Sequence, residues 1–133
     1  MQESSLSSHR PWWLIVIVAV GAALMAAGAL IALLHPAMLV SPRDQINEAV
    51  RVYAGYLVSR NLALAVMLLV ALTRSARESL RILIILTAFI QLLDAGLDAF
   101  EGRWALVPGV LIFAMAFFIA AAWLSRYSTA RQQ

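Results

Sequence analysis

WWLIVIVAVGAALMAAGALIALL, residues Trp12 to Leu34, contains no charged side chain. A bilayer's hydrocarbon core takes about 20 residues of helix. The apolar core of a secretory signal is shorter, about 7–15 residues. The run therefore reads as an uncleaved first membrane span. Everything else in the chain is interpreted from that solvent.

Outward from this run the pattern repeats. His35-Pro36 ends the first helix, and Ser41-Pro42-Arg43-Asp44 resembles a helix start, with a capping Ser and Pro at the first position. The second span is expected over about 48–72, with Arg60-Asn61 interrupting its apolar core. Thr73 to Arg81 is the sharpest break, and Ser75-Ala76-Arg77-Glu78 fits a capping box. The third span is expected over about 78–100. Glu101-Gly102-Arg103 reads as a tight turn in which Gly102 suits a left-handed helix end. The fourth span is expected over about 104–124, with Pro108 near its start, where a missing backbone donor is tolerated.

Composition agrees. Of 133 residues, 63% are hydrophobic and 13% charged, against about 25% charged in soluble domains. The expectation is a single transmembrane domain over 1–133: an all-α, integral membrane four-helix bundle with antiparallel up-down topology. The absence of cysteine excludes disulfides and thiolate chemistry. His9 and His35 are far apart in sequence, so no metal site is expected. No basic patch with aromatic platforms points to nucleic acid. No cofactor is implied, and membrane lipid is the expected surrounding.

Arginine supplies every basic charge and sets the orientation. Four spans put both termini on the side of the Thr73–Arg81 loop. That side carries six arginines (Arg10, Arg74, Arg77, Arg81, Arg126 and Arg131) against three opposite (Arg43, Arg51 and Arg103). The positive-inside rule then places both termini in the cytoplasm. Trp12, Trp104 and Trp123 fall near span ends, where amphipathic aromatics anchor.

Arg60, Asp94 and Asp98 lie inside spans. A charge at that depth costs about 2.5–3.5 kcal/mol even on the lenient insertion scale, so each is a functional candidate. Arg60 precedes Leu72 by twelve residues, and Asp94 follows Ile82 by twelve. At about 1.5 Å per residue both lie about 18 Å from the cytoplasmic end. Tyr56 and Asp98 share a level about 24 Å up. Tyr53, Tyr56 and Arg60 form one stripe on the second helix, continued inward by apolar Leu64 and Met67. Gln91, Asp94, Asp98 and Glu101 form another on the third. The expected picture is a polar cleft opening outward and closed below by apolar side chains.

One Arg facing two carboxylates leaves a net negative set, which low dielectric disfavours. One proton is then expected to be shared across Asp94 and Asp98. A neutral carboxylic acid could donate that proton in catalysis or carry it across the membrane. The plain alternative is that Arg60–Asp94 is a register-fixing salt bridge. Asn61 points about 100° from Arg60 and could make an interhelical hydrogen bond. Tyr53 and Tyr56 could be interfacial belt residues. Gly21 and Gly28 suit close helix packing or dimerisation. With Phe113, Phe117 and Phe118 among alanines, the first and fourth helices read as scaffold.

The run Tyr53 to Leu64 (YAGYLVSRNLAL), followed by Gln91 to Asp98 (QLLDAGLD), is similar to a family of small bacterial four-span membrane proteins loosely akin to the DoxX type. The resemblance covers about 45–125. It implies a four-helix bundle with Arg60, Asn61 and Asp94 as family features, and no particular activity. A weaker similarity to small multidrug exporters fails on the Glu those carry in the first span.

Three functions compete. The first is a protein that binds a lipophilic small molecule and acid-catalyses its isomerisation, cyclisation or epoxide opening. Asp94, Asp98 and Arg60 would be the catalytic residues, with Tyr53, Tyr56, Asn61 and Gln91 binding ligand. The second is a proton-coupled transporter or channel acting as a homo-oligomer. The third is an accessory subunit with a structural Arg–Asp pair. Whether the chain is an enzyme is left open by the residues.

Overall fold

A computed structural model describes residues 11–39, 45–74 and 76–129. Among them the chain forms four α-helices: α1 (Trp12–Leu34), α2 (Glu48–Thr73), α3 (Arg77–Phe100) and α4 (Val107–Thr129). All four are long and apolar enough to cross a membrane, the character of a multi-pass membrane protein.

Helix ends follow local chemistry. α1 stops at His35, which precedes the 3-10 turn Pro36–Leu39. α2 begins at Glu48, where the Asn47 side chain accepts from the Val50 N–H at 3.1 Å. Asn47 thus caps the helix, and residues 45–47 are not helical. The start expected at Ser41-Pro42-Arg43-Asp44 lies outside the described residues, as do Ser75 of the expected capping box, His9, Arg10 and Arg131. Glu78 of that box turns to Arg81, with an Nη2–Oε1 distance of 2.6 Å.

At the other end of α3, Gly102 is left-handed (φ 75°). Its N–H bonds Ala99 O at 3.2 Å, and the Arg103 N–H bonds Asp98 O at 2.7 Å. These two bonds make a Schellman cap. α4 starts three residues later than expected, because Trp104–Leu106 belong to this turn. Pro108 falls in its first turn, where no intrahelical donor is lost.

α1 packs closely on α2, and α3 on α4. α2 meets α3 more sparsely, and α1 meets α4 more sparsely still. The dry core occupies one end of the bundle. Leu14, Val18, Leu68, Leu80, Ile84 and Phe117 are fully buried there, with Ala22, Ala65, Ala88, Ala120 and Ala121 around them. Small residues let these helices approach closely. A Cβ on Gly21 would stand 2.5 Å from Phe117 Cζ and 2.8 Å from Phe113 Cζ. Gly21 therefore seats two phenyl rings within the chain. Trp123, expected as an interfacial anchor, packs edge-on against Trp13 with ring centroids 5.3 Å apart. Trp12 and Trp104 are exposed. Thr87, fully buried, donates its hydroxyl to Leu83 O at 2.8 Å and so carries no unmet polar group.

Candidate functional site

At the opposite end from the core the helices spread around a cavity of about 580 Å³, within the about 300–1,000 Å³ usual for small-molecule sites. Its polar wall comes from α2 and α3: Tyr53 and Asn61 on one, Gln91, Asp94 and Asp98 on the other. Leu24, Met25, Gly28 and Ile31 of α1 face them, with Gly109, Val110 and Phe113 of α4. Arg103 and Leu106 close it from the α3–α4 turn. The first and fourth helices, expected as scaffold, thus form most of the apolar wall.

Helix pitch explains which side chains arrive. Tyr53, Leu57 and Asn61 are four apart and share the lining face of α2. Arg60 lies beside that face, toward α3, and does not line the cavity. It meets Asp94 through two hydrogen bonds, Nη1–Oδ1 at 3.2 Å and Nη2–Oδ2 at 2.8 Å. This is the fork geometry in which Arg and carboxylate bind best. The matched depths read from the spacing meet in this contact.

Tyr56 stands apart, 72% exposed on the outside of α2 and not among the described lining residues. Met67 is likewise exposed, at 52%, and so does not close the cavity from below. That floor is Met25 and Phe113, which bridge cavity and core. Leu64 is buried in the core.

Asn61 makes no interhelical hydrogen bond: its Oδ1 is buried without a partner. It lies toward α1, its Nδ2 3.9 Å from the Cβ position of Gly28. A buried polar atom without a partner costs about 1–3 kcal/mol.

Asp98 is the largest departure from the sequence reading. It has a partner that the sequence reading did not give it: Arg103 Nη2 contacts its Oδ1 at 2.7 Å. Arg103 also holds Glu101, with Nη2–Oε2 at 2.7 Å. Asp94 therefore has Arg60 to itself, while Asp98 shares Arg103 with Glu101. Sequence reasoning counted Arg103 only as a loop charge. The signal was present: an Arg one residue beyond a helix-ending Gly returns over the last turn, where Asp98 sits.

Among the described residues no group of three His, Asp or Glu is placed to hold a metal ion. No family model, curated protein or solved structure matches this chain.

Proposed function

We propose that this chain is a multi-pass protein of a bacterial cytoplasmic membrane that binds a lipophilic small molecule in the four-helix cavity. The observation that carries this reading is a ligand-sized cavity with apolar walls and one polar wall. Apolar lining with a few convergent polar groups is how small-molecule sites are built. The polar groups would fix the head of the ligand, and Met25, Phe113 and Leu24 would contact its body.

The bundle is read as antiparallel, with both termini cytoplasmic. Support comes from the arginine distribution. It also comes from the cavity, which draws on residues late in α1 and α3 and early in α2 and α4. In that orientation the cavity lies in the outer half of the membrane.

Binding has more support than acid catalysis, because both carboxylates are ion-paired. A proton-coupled pathway has less, since fully buried Leu14, Val18, Leu68, Ile84 and Phe117 fill the remaining half of the bundle. The Arg60–Asp94 pair fits a structural role: it ties α2 to α3, one of the sparser seams, from beside the cavity.

The test is retention of lipophilic molecules by the full chain purified in mild detergent, read by extraction and mass spectrometry, together with Nile red binding. Wild type is expected to retain a discrete molecule and to bind the dye. Asn61→Leu and Gln91→Leu are expected to lose both while unfolding normally. Wild type that retains nothing beyond bulk lipid and does not bind the dye overturns the proposal.

A further inference from the structure

The end of the bundle that holds the dry core is also its basic end. The turn between α2 and α3 carries Arg74 and Arg77, and Arg81 follows one turn into α3. α4 brings Arg126 back to the same end. Arg126 lies nineteen residues after Val107, and Arg81 lies nineteen before Phe100. Both are therefore about 28 Å of helix from the turn that joins α3 to α4. The hydrocarbon core of a bilayer is about 30 Å thick. With that turn at one boundary, these arginines stand at the other, where phospholipid phosphates lie.

Pairing separates this end from the opposite one. Arg60, Arg81 and Arg103 each hold a carboxylate. Arg74, Arg77 and Arg126 hold none among the described residues. The described acid at this end is Glu78, and Arg81 engages both of its oxygens, Nε–Oε2 at 3.2 Å and Nη2–Oε1 at 2.6 Å. At the cavity end the described carboxylates, Glu48, Asp94, Asp98 and Glu101, outnumber the guanidiniums of Arg51, Arg60 and Arg103.

Unpaired guanidiniums repel one another. The three residues from Arg74 to Arg77 span at most about 11 Å, close to the screening length of about 8–10 Å at physiological salt. An anion beside them lowers that energy, and phosphate matches the guanidinium fork. The surroundings favour a lipid over a water-soluble anion. Val70 on α2 and Ile82 on α3 are exposed just inward of these charges and offer acyl chains an apolar surface. Trp12 is exposed at the same end, where Trp13 packs on Trp123, and tryptophan belongs at head-group level. Anionic lipid attracts basic residues placed at such a boundary.

We propose that the basic end of the bundle binds anionic phospholipid head groups through Arg74, Arg77 and Arg126, with acyl chains against Val70 and Ile82. This site is separate from the cavity and stands whether or not the cavity takes a ligand.

The experiment uses the full chain in nanodiscs of phosphatidylglycerol and phosphatidylcholine in equal parts, with the lipids retained on release read by native mass spectrometry. Wild type is expected to retain phosphatidylglycerol over phosphatidylcholine by about tenfold or more, equivalent to about 1.4 kcal/mol. Arg74→Gln, Arg77→Gln and Arg126→Gln combined are expected to abolish that preference while sparing the Arg81–Glu78 pair. Arg51→Gln neutralises an unpaired arginine at the other end and is expected to keep it. Arg126→Gln alone, at an exposed position, is expected to weaken the preference at an unchanged unfolding temperature, and carries the same test where the triple variant does not fold. Equal retention of the two lipids by wild type overturns the proposal, as does a preference that survives in the triple variant or, failing its folding, in Arg126→Gln. A loss in Arg51→Gln as large as in the triple variant overturns the site and leaves net charge as the cause. Nile red binding in the cavity is expected to be the same in all these variants, so the two sites fail separately.

Discussion

Arg103 returns to Asp98 twice, its backbone N–H to the Asp98 carbonyl at 2.7 Å and its guanidinium to the Asp98 carboxylate at 2.7 Å. The first bond belongs to the Schellman cap that ends α3, and the second uses the position this cap gives the side chain. Asp98 is only 12% exposed at its side chain, so its charge depends on that partner.

Removing the partner should therefore be costly. Arg103→Leu leaves a buried carboxylate uncompensated and is expected to destabilise the protein by about 3 kcal/mol. Asp98→Asn added to Arg103→Leu should recover part of the loss, since the stranded charge is gone. Chemical unfolding in detergent micelles measures both. An Arg103→Leu protein as stable as wild type would show that Asp98 does not rely on this pair.

Gly102 supports the same contact through backbone geometry. At φ 75° an L side chain is strained, and Gly102→Ala is expected to cost about 1–2 kcal/mol. The loss should shrink in an Arg103→Leu background, where the cap no longer positions an ion pair. Equal losses in the two backgrounds would separate the cap from the pair.

Arg60 and Asp94 form the other ion pair, with side chains about one-third exposed. Arg60→Leu alone and Asp94→Leu alone should each destabilise more than the double substitution, because a single change strands a charge at membrane depth. A thermodynamic cycle of these three variants gives the coupling directly. A double variant less stable than both singles would mean that the pair, rather than mere neutrality, holds α2 to α3.

Gly21 tests the packing of the core. Gly21→Ala places a methyl group within 2.5 Å of Phe117 Cζ, and overpacking of this kind costs about 1–3 kcal/mol. Phe117→Leu in the same chain should relieve part of it. Thermal unfolding that leaves Gly21→Ala unchanged would contradict the close approach of α1 and α4 at this point.

Much of the helical layout was legible in the sequence. The span from Trp12 to Leu34 needed only the length of an unbroken apolar run, because a bilayer fixes how many residues a helix must supply. The left-handed turn at Gly102 was legible because only glycine adopts it cheaply. The meeting of Arg60 and Asp94 followed from equal residue counts on either side of one loop. The start of the second span near residue 48 was legible in the sequence, and Asn47 forms its cap. The stripe of Tyr53, Tyr56 and Arg60 was read as one face, yet the lining runs through Tyr53, Leu57 and Asn61. A rotation of less than one residue about the helix axis separates these faces, and periodicity does not resolve it.

The sequence by itself determined four membrane-length helices and the depth of their charged residues, because both depend on counting residues along one chain in a solvent of known thickness. Only the tertiary structure decided the rest: which Arg holds Asp98, that Asn61 is unpartnered, and that α1 and α4 wall a cavity instead of bracing a cleft. Those facts depend on how far each helix is rotated and how widely the bundle splays, which are set by side-chain packing between helices. Phe117 against Gly21 closes one end, and the space at Gly28 and Gly109 leaves the other open.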